Sequence, residues 1–238
     1  MIELTPFAIP APWRHGVQLA RVVDHRDPAG LSRVKVQLLA PDPDQAATVW
    51  ARVAAPFAGA SRGAFLLPHL DDEVVVMFVA GDSRAAIIIG GVWNGTQEPP
   101  ETLGNAGEDG VDRWSLTGRA GTRIAIVEAS DDSPTITLST PGGVTCELTD
   151  AEGGRVTIET PSHTVTIAQS GITVDCSGTI DVRAAGNVSV QAAEVQVTAG
   201  QVKLDAALVD CSGVVKCQVL QTNSVISSSY TPGAGNIW

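Results

Sequence analysis

Two rhythms of apolar and polar positions divide this chain near residue 100. Before it, strand-sized runs rich in β-branched residues alternate with turn signals. The runs are Val17–Asp24, Val34–Leu39, Val49–Val53, Glu73–Val79 and Ala85–Ile89. Between them lie Asp27-Pro28-Ala29-Gly30, Pro41-Asp42-Pro43-Asp44, Ala58-Gly59 and Gly81-Asp82. Five short strands at that spacing predict a small Greek-key barrel over residues 16–95. Residues 1–15 are Pro-rich and predict an extended arm. Residues 96–117, rich in Gly, Pro and acid at their start, predict a linker.

From residue 118 the period changes. Apolar residues recur at i and i+2, each pair followed by a small polar turn. The clearest pairs are Ile172/Val174, Ile180/Val182, Val188/Val190, Val195/Val197 and Val202/Leu204, whose first members are spaced 8, 8, 7 and 7 residues apart. Earlier pairs are Ile124/Ile126, Ile136/Leu138, Val156/Ile158 and Val165/Ile167. A strand with two inward side chains cannot enclose a core alone, and repeats solve this by stacking. A single-chain β-helix needs roughly 18–25 residues per coil. A unit of 7 or 8 residues supplies one face of three. The spacing therefore predicts three chains wound around one axis over residues 118–226, an intertwined β-prism in which every strand pairs with a neighbouring chain. A monomeric solenoid of three units per coil is the alternative.

Composition sharpens this picture. Of 238 residues 44% are hydrophobic but only 4% aromatic, and residues 115–229 contain no aromatic at all, which fits a narrow axial core. Formal net charge is -11, with 13 acidic and 8 basic residues before residue 111 and 13 and 7 after it. No basic stripe exists to follow phosphates, so nucleic acid is not an expected partner. The N-terminal stretch lacks the basic start and apolar run of a signal peptide, and no run approaches a membrane helix in length. The four cysteines have no metal-like spacing.

An ordered set of motifs runs through the first half: Gly16-Val17, Asp27-Pro28, Arg33-Val34-Lys35-Val36, Trp50-Ala51-Arg52-Val53, Ala58-Gly59, Arg62-Gly63, Leu67-Pro68, Asp72-Glu73-Val74, Gly81-Asp82 and Trp93-Asn94-Gly95. The set resembles the OB-fold domain of the phage baseplate assembly protein V family, shared with type VI secretion spike proteins and other contractile injection systems. Gly118–Ile126 looks like the usual start of the spike's prism. Ser32 and Asp71 stand where the family usually has glycine, at turns where glycine supplies positive φ. The resemblance implies an all-β homotrimer with an N-terminal OB-fold barrel and a C-terminal β-helix. It implies a structural spike, not an enzyme, assembled in a bacterial cytoplasm into a phage baseplate or injection particle. A baseplate hub protein would sit at the barrel end and a PAAR-type tip protein at the other. Contact with the target membrane would be transient. The rival is a trimeric receptor- or carbohydrate-binding fibre, against which the aromatic-free repeat counts.

Candidate chemistry is sparse. Asp71, Asp72 and Glu73, and Asp131-Asp132, are acids in turns, expected to face solvent rather than act as a carboxylate pair. His15, His25 and His69 sit beside turn signals and are expected on the surface. His163 shares the parity of Val165 and Ile167. If it points inward, three copies near the axis could hold a metal ion or an anion; if Ser162-His163 is a turn, it faces out. No other cofactor is expected. Cys146, Cys176, Cys211 and Cys217 follow the same register and are expected inside as small hydrophobes. The tail 227–238 loses the repeat, and its Tyr230, Ile237 and Trp238 are the expected contacts for the tip partner.

Overall fold

The computed structural model describes residues 16–39, 47–102, 110–130 and 132–228. The N-terminal arm, the Pro41–Asp44 turn, Asp131, and Tyr230, Ile237 and Trp238 lie outside the described residues.

Alternating apolar residues build the first half. Strands β1 (Val17–Asp24), β2 (Val34–Leu38), β3 (Thr48–Val53), β6 (Glu73–Phe78) and β7 (Ala86–Gly91) close into a barrel in the order β1-β2-β3-β7-β6. Two-residue strands β4 (Ala58–Gly59) and β5 (Arg62–Gly63) pair in the loop between β3 and β6. Neighbours in the barrel run antiparallel except β3 and β7, joined in parallel at Arg52↔Ile87 and Val53↔Ile88. Every second side chain points inward, as strand pleating requires. The core is Ala20 and Val22, Val34, Val36 and Leu38, Ala51, Val74, Val76 and Phe78, with Ala86 and Ile88 closing it. Ser32 and Asp71, the two residues at usual glycine positions, both adopt positive φ, 54° and 70°.

The second half departs from the expected interchain pairing. Seven strands, β8 (Arg113–Thr117), β9 (Arg123–Val127), β10 (Thr135–Ser139), β11 (Thr145–Thr149), β12 (Arg155–Thr160), β13 (His163–Ala168) and β14 (Gly171–Cys176), form one antiparallel meander in sequence order. These strands pair with their own chain because tight turns reverse it at short intervals, such as Pro141-Gly142-Gly143 and Pro161-Ser162. Strand β8 also lies within residues that read as linker. Glu101, just after Pro99-Pro100, ties the barrel's exit to this sheet. Its carboxylate accepts both Nε and Nη2 of Arg123 at 2.9 Å, with Arg113 Nη1 3.6 Å away.

By contact density the chain divides at Ile180/Asp181. Among the described residues of the second unit, 181–228, there is no strand, and all are exposed.

Candidate functional site

The meander's residues sort by pleat onto two faces. One face carries two unbroken apolar rows that cross all seven strands. The first row is Trp114, Ile126, Ile136, Leu148, Val156, Ile167 and Ile172; each residue is paired directly with the next. The second is Leu116, Ile124, Leu138, Cys146, Ile158, Val165 and Val174, paired in the same way. None of the fourteen is charged. They make a stripe about 30 Å long and two side chains wide. Among the described residues nothing covers it: Ile136 and Leu148, in the middle, are 43% and 41% exposed. A contiguous apolar surface of this size marks an interaction face.

The opposite face is polar. Thr135 Oγ1 donates to Thr149 Oγ1 at 3.0 Å. Arg155 pairs with Glu147 at 3.6 Å and Glu152 at 3.3 Å. Arg113 reaches Asp112 at 2.9 Å. Side-chain hydrogen bonds from Arg123 and Ser115 hold the Glu101 carboxyl down at about 2.

The expected site residues fall as follows. Ile172 and Val174 lie on the stripe, in β14. Ile180, Val182, Val188, Val190, Val195, Val197, Val202 and Leu204 stand in no strand, and all are more than half exposed. Units of 7 or 8 residues with two apolar side chains each are too short to enclose a core by themselves. His163 opens β13 opposite Cys176, with the parity of Val165, yet its ring is exposed beside the Pro161-Ser162 turn. Among the described residues no group of three His, Cys, Asp or Glu could hold a metal. In the single chain Cys146 and Cys176 are half-buried, whereas Cys211 and Cys217 are exposed. His25 is not a free surface residue: it is half-buried, and its ring Nε2 donates to the carbonyl of Pro68 at 2.6 Å. Sequence reasoning missed Trp114 and Leu116. Their i, i+2 spacing carried the signal, but the acidic stretch before them masked it.

The site is thus a closed five-stranded barrel leading through an ion-paired strap into a sheet with one apolar face. Residues 18–93 match the model of the type VI secretion system/phage-baseplate injector OB domain family. Over 111 residues the chain is 35% identical to the type VI secretion system spike protein VgrG2a of Pseudomonas aeruginosa; the match covers 43% of this chain and 13% of that protein. It is 35% identical over the same length to VgrG2b of that organism, covering 43% and 11%. VgrG1a, another spike protein of that organism, is 36% identical over 90 residues, covering 36% and 14%. The chain thus corresponds to a small part of these relatives. Among the described residues no helix is long and apolar enough to cross a membrane.

Proposed function

We propose that this chain is the central spike of a contractile injection apparatus, acting mechanically as a homotrimer and not as an enzyme. Three copies turn the apolar stripes of β8–β14 toward a common axis and their ion-paired faces to water. Beyond Cys176, the pairs from Ile180/Val182 to Val202/Leu204 continue as an intertwined β-prism to about residue 226. The barrel ring docks on a baseplate hub protein. The segment 227–238, with Tyr230, Ile237 and Trp238, receives a PAAR-type tip protein. Contraction of the sheath then drives the prism through the target envelope. Strands paired across chains leave few free edges and resist unfolding one chain at a time, as a needle requires.

The observation that carries this reading is the pair of seven-residue apolar rows on a sheet whose other face is polar, following a barrel of the injector family. Sedimentation equilibrium of the full chain tests it. The expected mass is three times the 24.6 kDa chain. A stable folded monomer at micromolar concentration would remove both the trimer and the spike.

A further inference from the structure

We infer that a groove on the barrel, between the β1–β2 turn and the β4–β5 ribbon, binds an extended segment of a second protein that carries carboxylates beside apolar side chains. The inference rests on the reading above that the barrel docks on another protein, and gives that docking a place and a charge.

The groove is a cavity of about 520 Å3, within the usual range for binding clefts. Its lining includes Leu31 of the β1–β2 turn, Arg52 at the end of β3, and Arg62, Phe65 and Leu66 of the ribbon and the chain after it. Local chemistry fixes both sides. The Leu31 N–H donates to the Asp27 carboxylate at 3.0 Å, which holds the turn. In the ribbon Ala58 pairs with Gly63 and Gly59 with Arg62, and the Ala64 N–H donates to the Phe57 carbonyl at 3.2 Å. A Cβ at Gly63 would stand 3.0 Å from that carbonyl oxygen, so glycine is what lets the chain close there. Leu31, Phe65 and Leu66 are nonetheless 69%, 74% and 60% exposed. Three large apolar groups around one concavity mark an interaction site rather than scattered surface residues.

Charge sets the class of partner. The chain carries 26 acidic and 15 basic residues. Among the described residues, however, the only ionisable side chains lining the groove are Arg52 and Arg62. Both are exposed, and neither guanidinium has an ion pair or hydrogen bond among the described residues. Two unpaired cations beside three apolar groups complement carboxylates set beside Leu- or Phe-like side chains. The backbone favours an extended segment. The ribbon has two strands only, so each keeps an edge without a strand partner, to which an extended chain can add. An anionic membrane fits less well, because it repels a chain of net charge -11.

Calorimetric titration of the full chain tests this with two end-blocked synthetic peptides, Glu-Leu-Glu-Phe-Glu-Leu and Lys-Leu-Lys-Phe-Lys-Leu. The acidic peptide should bind and the basic one should not. Arg52→Glu with Arg62→Glu should weaken binding about tenfold or more. Phe65→Ser, which keeps both cations, should weaken it as well and gives a second reading should the double variant fail to fold. Arg119→Glu, at an exposed cation in the turn before β9, should bind as wild type. Equal binding of the two peptides, or a folded double variant that binds as wild type does, overturns the inference. A drop in sedimenting mass of the double variant also overturns it, by making a second copy of the chain the occupant. Capture of the wild type, but not the double variant, by phosphatidylglycerol vesicles overturns it by making the occupant a membrane. A wild-type trimer that binds neither peptide removes this inference and leaves the spike, whereas a folded monomer that binds the acidic peptide removes the spike and keeps the groove.

Discussion

The carboxylate of Asp27 and the guanidinium of Arg33 lock the turn between β1 and β2. Arg33 Nη2 donates to Asp27 Oδ1 at 2.7 Å, and its Nε lies 3.1 Å and 3.2 Å from the two oxygens. The same carboxylate accepts the backbone N–H groups of Ala29, Leu31 and Arg33 at 3.0, 3.0 and 3.2 Å. Arg33 in turn lies over the ring of Trp50, 5.9 Å from its centre. One side chain thus satisfies three turn donors and fixes a cation against a barrel strand. Arg33 first, then the backbone donors, hold the Asp27 carboxyl well below the usual carboxylate range, against an opposing effect of desolvation. Asp27→Ala should lower the barrel's Tm by roughly 5 °C or more, and Asp27→Asn by less, since an amide oxygen still accepts from the turn. Calorimetry of both variants checks the order.

The turns at Ser32 and Asp71 make a second prediction. Both residues hold the left-handed conformation, φ 54° and 70°. An L-residue there pays about 1–2 kcal/mol that glycine does not, partly offset by the greater freedom of glycine in the unfolded chain. Ser32→Gly should raise stability by about 0.5–1 kcal/mol. Asp71→Gly should gain less, because Asp tolerates this region better than Ser. Ser32→Val should lose about 1–2 kcal/mol. Urea midpoints measure all three, and a destabilising Ser32→Gly would contradict the strain argument.

The strap between barrel and sheet should show in acid. Glu101 titrates at about 2 in the folded chain, lowered first by its bond to Arg123 and then by Ser115. In the unfolded chain an ordinary glutamate titrates near 4.3. The folded state therefore binds this proton less readily. Its contribution to stability is complete above the unfolded value and is lost as pH falls from about 4.3 through about 2. Asp24 and Asp27 are lowered as well, so the wild type loses stability in this window for several reasons. The specific expectation is a difference: Glu101→Gln is less stable than wild type at pH 7, and the gap narrows toward pH 2. A gap that stays constant with pH would mean the strap does not depend on the ionised carboxylate.

What the sequence disclosed, and what it hid, follows from how far each interaction reaches along the chain. β1 runs over Val17–Asp24 as its alternation predicted, and the other barrel strands differ at their ends by a residue or two, because pleat and turn chemistry are local. The positive φ at Ser32 and Asp71 was legible only through the resemblance, which puts glycine at those turns. His25 was misread because its partner, Pro68, lies 43 residues away. β4 and β5 were missed because two residues have no period. The pairs Ile124/Ile126, Ile136/Leu138, Val156/Ile158 and Val165/Ile167 were visible at once, but an i, i+2 pattern names a face and not a neighbour. It could not say that residues 113–176 pair with themselves, whereas the described residues 181–228 form no strand.

That distinction between face and neighbour gives the last prediction. Thr166 and Ile167 are consecutive in β13 and point to opposite faces of the sheet. Thr166 sits among Thr157 and Thr173 on the polar face. Ile167 lies between Val156 and Ile172 on the stripe, 47% exposed in the single chain. Placing Asp at either position adds the same charge at nearly the same point of the strand. If the stripe faces water in the working protein, the two variants should differ little, because both carboxylates remain solvated. If three stripes meet on an axis, Ile167→Asp buries three unpaired carboxylates together, and each costs several kcal/mol or must take up a proton. Ile167→Asp should therefore abolish the trimer at neutral pH, and protonation should partly restore it as pH falls below about 5. Thr166→Asp should sediment as wild type at every pH. Equal behaviour of the two variants would show that the apolar face is not the interface.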